Sequence, residues 1–103
     1  MTEFTSPSRK GFIHGCVLVA LYGLQQESLL EARHHKYADW NDHPTYAECK
    51  RLIEAIREGK AVTTSFDNID ALMAHTRQTL RVSYEEWEQS TPLTYVKHEG
   101  QAK

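Results

Sequence analysis

The stretch RHHKYADWNDHPTYAEC, Arg33 to Cys49, holds His34, His35, Asp39, Asp42, His43 and Cys49, the densest set of metal-ligand side chains in the 103 residues. Zinc takes four N, S or O donors in a tetrahedron, and His35 and Asp39, four apart, would share one side of a helix. The surrounding pattern favours a plainer role. There is no Cys-x-x-Cys, His-x-x-x-His or His-Glu-x-x-His. Cys49 falls on an apolar helical stripe, and Arg33, His34, His35 and Lys36 suit a helix C-terminus, where the backbone dipole favours positive charge. No metal and no cofactor is expected.

His14-Gly15-Cys16 raises a second chemistry, a thiol activated by a neighbouring base. Positions two apart on a helix point in different directions, and Cys16 sits in the most apolar part of the chain. Phosphate-cradling glycine loops and the serine-hydrolase elbow are missing from the sequence. Glu85-Glu86 reads as a solvated or capping pair. The expectation is a protein that is not an enzyme, with no catalytic residue to assign.

Nucleic acid is disfavoured as a partner. Twelve basic against fourteen acidic residues give a net charge of −2, so no global positive field is present. A helix-turn-helix over the second and third helices would need a shorter connector than Gly59 to Phe66. Its recognition helix would carry only Arg77 and Arg81 as bases, with Asp67 and Asp70 at the end that meets phosphate.

What remains is binding through apolar and aromatic side chains. Residues Gly11 to Leu24, GFIHGCVLVALYGL, are apolar almost all the way round a helical wheel. A chain of this length has one modest core to offer, which leaves part of that circumference uncovered, and a large uncovered apolar patch marks an interface. Phe12, Ile13, Val17 and Leu21 are the residues expected to meet a partner there. Gly11 and Gly15, with Ala20 and Gly23 beyond, would let a second backbone approach. The alternative is a helix threaded through the centre of a compact monomer. Trp40, Tyr84, Trp87 and Tyr95 join the candidate partner-binding set, because tryptophan and tyrosine dominate binding hot spots, unless the tryptophans close over the core.

The elements that must position these residues read as a mainly helical single domain of about four helices. Ser6-Pro7 starts a first helix running to His35 or Tyr37; Ile13, Val17 and Val19 leave a short strand open as an alternative there. Pro44 opens a second, with Tyr46, Cys49, Ile53 and Ile56 inward and Gly59 as a left-handed stop. Asp67 caps a third, with Ile69, Leu72, Met73, Thr76 and Leu80 inward. Ser83-x-x-Glu86 matches a capping box before a short fourth helix through about Gln89, and Pro92 ends it. Residues 61–66 and 93–97 can pair as a minor two-stranded sheet, or Tyr95-Val96 can serve as an adaptable arm. Residues 1–6 and 98–103 are expected to be flexible ends. Cys16 and Cys49 read as reduced thiols in a cytoplasmic protein. The apolar run, nine residues at its strongest, is too short for a membrane span and lacks a signal-peptide cleavage site.

Leu52 to His75, LIEAIREGKAVTTSFDNIDALMAH, resembles the helix, glycine, Ser-Phe-Asp and second-helix arrangement near the toxin-binding end of some small bacterial antitoxins. Those proteins usually begin with a DNA-binding ribbon or helix-turn-helix module that residues 1–43 do not match, so what the resemblance implies is an antitoxin or immunity role kept open. The expected function is a small non-enzymatic protein-binding module, working as an inhibitor, regulator or assembly subunit. Its expected partner is another protein or a second copy, and no membrane. The alternatives are a DNA-binding regulator or antitoxin, and a His/Cys/Asp metal-binding domain.

Overall fold

A computed structural model describes residues 7–34 and 42–96. The flexible-end expectations at 1–6 and 98–103 lie outside them. Four helices and two short strands follow in order: α1 (Pro7–His34), α2 (Pro44–Arg57), β1 (Val62–Thr64), α3 (Asp67–Leu80), α4 (Tyr84–Ser90) and β2 (Leu93–Tyr95). This is the mainly helical architecture with a minor sheet that composition and periodicity imply, and residues 13–19 are helix rather than strand.

Helix boundaries follow local chemistry. At the start of α2, His43 holds an extended backbone and its Nδ1 accepts the Tyr46 N–H at 3.4 Å, while Pro44 occupies a position where a missing N–H is harmless. At its end, Gly59 takes φ +83°. The Gly59 N–H then reaches the Ile56 carbonyl and the Lys60 N–H the Ala55 carbonyl, the two bonds of a Schellman stop. Helix α3 ends the same way, but on Arg81 at φ 57°, with Val82 N–H donating to Arg77 O.

Two caps differ from expectation. Asp67 is the first residue of α3, not its cap; Phe66 stands at the cap position with no side-chain bond. The Asp67 carboxylate instead accepts the Tyr95 hydroxyl, tying β2 to α3. In α4, Ser83 Oγ accepts the Glu86 N–H at 3.1 Å, but the Glu86 carboxylate turns to Arg9 of α1 at 2.8 Å. Half the capping box forms, and the other half becomes an inter-helix ion pair.

Strands β1 and β2 pair in parallel, Val62 with Leu93, Thr63 with Thr94 and Thr64 with Tyr95. Parallel strands need a crossover, which α3 and α4 supply. The outer edge of β1 is closed by a polar network. Arg51 Nη2 donates to the Thr63 carbonyl at 2.8 Å and to Glu48, and Thr64 Oγ1 donates to Glu48 at 2.6 Å while accepting the Phe66 N–H.

One core joins all of this. It holds Ile13, Val17 and Leu21 of α1, Cys49, Leu52, Ile53 and Ile56 of α2, Ile69 and Met73 of α3, with Val82, Trp87 and Leu93. Helix α1 packs on α2, α3 and α4 and forms the spine of a body 53 × 33 × 25 Å.

Candidate functional site

The rotation of α1 about its axis decides what it presents. At about 100° per residue, the buried Ile13, Val17, Leu21, Ser28 and Ala32 cluster around one direction. Phe12, Val19 and Leu30 fall on the opposite line, within about 20° of each other. They are 53%, 70% and 63% exposed. Tyr22 flanks them, its hydroxyl accepting from Arg57 Nη1 at 3.1 Å. Gly15 and Gly23 lie in the same strip, and a Cβ built on either, or on Gly11, meets nothing within 4 Å. The subunit's own packing therefore does not require these glycines, although glycine inside a helix costs about 1 kcal/mol relative to alanine.

This placement corrects three of the expected partner-binding residues. Ile13, Val17 and Leu21 are fully buried because α2, α3 and α4 cover one side of α1, and that side holds them. Phe12 is on the surface as expected. The outward residues that sequence reasoning did not select are Val19 and Leu30. A signal for them exists: Gln26, Glu27 and Arg33 fix the solvent side of the second half of α1, and continuing that side back at helical spacing arrives at Val19 and Phe12.

The aromatic candidates separate in the same way. Trp87 is core, 8% exposed, which decides for it between lid and interface. Tyr84 is exposed, with the Arg77 guanidinium over its ring at 5.8 Å; Arg77 also donates to the Val82 carbonyl. Tyr95 is half-buried, and the bond to Asp67 raises its hydroxyl above the ordinary pKa. These three rings line one cleft of about 640 Å³ between α3, α4 and β2, whose charged walls are Asp70, Arg77 and Glu88. Trp40 lies outside the described residues.

The candidate metal ligands among the described residues do not converge. His43 is buried and committed, its Nε2 2.6 Å from Glu31 and its Nδ1 at the α2 cap. His34 and Asp42 are exposed, and His35 and Asp39 lie outside the described residues. Cys49 is in the core, where burial and then the charge of Glu48 push its thiol up to about 12. Among the described residues, no three His, Cys, Asp or Glu side chains are grouped to hold a metal ion. Both cysteines are free, with Cys16 half-buried beside the outward strip. Between α2 and α3 stands β1 rather than a tight turn, so the pair is not a helix-turn-helix. No described helix is long and apolar enough to cross a membrane.

No protein-family model matches the chain, and neither a curated protein nor a solved structure matches it significantly.

Proposed function

We propose that this chain is a non-enzymatic protein-binding module that works as an assembly subunit, with the outer face of α1 as its docking surface. The observation that carries this reading is the strip of Phe12, Val19 and Leu30, uncovered on the side of α1 opposite the core. From their exposed fractions and ordinary side-chain areas, these residues and Tyr22 offer about 400 Å² of apolar surface per copy. Two such faces together supply about half the area of a standard protein interface, and the bare glycines, Gln26 and Glu27 extend the patch on both sides.

Sedimentation velocity from nanomolar to tens of micromolar is the test. A concentration-dependent rise in mass, abolished by Val19→Glu together with Leu30→Glu, supports the reading. A strict monomer throughout, with no binding of a hydrophobic dye, overturns it.

A further inference from the structure

The strip on α1 has an internal order that goes beyond its being apolar. Phe12, Val19, Gly23 and Leu30 lie along one line of the helix, spanning about 27 Å at 1.5 Å per residue. Phe12 and Leu30 are equidistant from the level of residue 21, and so are Val19 and Gly23. Read in the reverse direction, the strip therefore offers a large side chain opposite each large end and an empty place opposite the central valine. From this we infer that α1 pairs with α1 of a second copy, antiparallel, about a two-fold axis at the level of residue 21. The inference rests on the reading of this face as a docking surface and specifies its occupant.

In this arrangement Phe12 packs against Leu30 of the second copy, and Val19 enters the space above the Gly23 backbone. The structure shows that space to be empty in the subunit, since a Cβ on Gly23 touches nothing within 4 Å. Gly15, equally bare, comes beside Gln26 of the second copy. A two-fold pairing uses the same patch on both subunits, and opposed helices also oppose their dipoles. The parallel alternative matches like with like: valine meets valine, and glycine meets glycine one turn further on. No layer of the parallel pair then sets the valine into the space over a glycine.

Cys16 supplies an internal reporter. It is half-buried on the flank of the strip, and the only other cysteine, Cys49, is core. In the antiparallel pair, Cys16 lies beside Glu27 of the second copy. The two Cys16 residues are separated by about 15 Å along the axis, beyond the roughly 7 Å that a disulfide spans between Cα atoms.

The experiment uses the full chain with Glu27→Cys, an exposed position, oxidised by diamide, which takes up the two hydrogens released as each S–S bond forms. The expected result is a covalent dimer in which Cys16 of one copy is joined to the thiol introduced by Glu27→Cys in the other, identified by peptide mapping, with far less dimer from the wild type. Gly23→Leu gives a second measurement, because a Cβ at this position meets nothing within 4 Å in its own subunit. Filling the place of the opposing valine should weaken dimerisation at least tenfold by sedimentation. A wild type that crosslinks through Cys16 as readily as the variant, or a Gly23→Leu protein that dimerises as tightly or more tightly, overturns the antiparallel pairing while leaving the docking surface itself intact. A protein monomeric at all concentrations overturns both.

Discussion

The outer edge of β1 and the outer face of α1 are both places where the fold presents groups that another chain can engage, and the two are treated differently. At β1, an unpaired strand edge invites other chains to add to it. There Arg51, anchored by Glu48, seals the Thr63 carbonyl, and Thr64 locks the strand to α2. At α1, Phe12, Val19 and Leu30 stand uncovered beside glycines with no local purpose. A chain that closes one exposed edge with three polar side chains is able to close another. The contrast marks the α1 face as the surface on which the proposed docking rests.

That contrast can be broken from either side, and the largest effect comes from the inner side of α1. Leu21→Ala should destabilise by about 3 kcal/mol in urea unfolding, the cost of a cavity at a fully buried site. A loss below about 1 kcal/mol would mean that the inner and outer faces are not distinct. Glu48→Gln tests the seal and should cost about 1.5 kcal/mol, because it removes the charge that accepts from the Thr64 hydroxyl and from Arg51, whose 54% exposure lets water screen the pair. This effect depends on pH. Burial alone would raise the Glu48 pKa, but hydrogen bonds from Arg51 and Thr64 and the Arg51 charge bring it below the ordinary value. A carboxylate with a lowered folded pKa stabilises above its unfolded pKa and loses that contribution as pH falls through the folded one. The gap between wild type and Glu48→Gln should therefore be full at pH 7 and shrink below about pH 4; a gap constant to pH 2 would refute the ionic part of the seal.

Smaller effects sharpen the outer face. Gly15→Ala and Gly23→Ala should each stabilise the isolated subunit by about 1 kcal/mol, measured by thermal melting at nanomolar concentration, because the helix gains propensity and the new methyl meets nothing. Destabilisation would show that the glycines serve the subunit after all. Val19→Thr should stay within about 0.5 kcal/mol of wild type under the same conditions, as exposed substitutions do.

Much of this architecture is legible in the residues themselves. Helix α2 announces itself through Pro44, Gly59 and the spacing of Cys49, Ile53 and Ile56, because local rules and tertiary burial agree there. The pairing of residues 61–66 with 93–97 is legible from two short β-prone runs flanking helical ones. The direction faced by α1 is harder to read. Apolar residues on every side of Gly11 to Leu24 leave its rotation to be set by α2, α3 and α4, so Ile13, Val17 and Leu21 look as outward as Val19 does. Trp87 is ambiguous for a related reason: an acidic seven-residue helix signals solvent, while its one tryptophan is drawn into the core. Arg9 with Glu86 could not be foreseen, since the two are 77 residues apart and only the packing of α4 on α1 brings them together.

The parallel match of Val62–Thr64 with Leu93–Tyr95 carries a consequence for assembly in time. Its partners are joined only by way of α3 and α4, so closing the ladder requires ordering about thirty intervening residues, whereas the turns of each helix form between near neighbours. Nucleation therefore belongs to the helices and ladder closure comes late. Amide protons of Thr64, Thr94 and Val96 should gain protection from exchange after those of Leu52 and Ile53 when refolding is followed by pulse labelling.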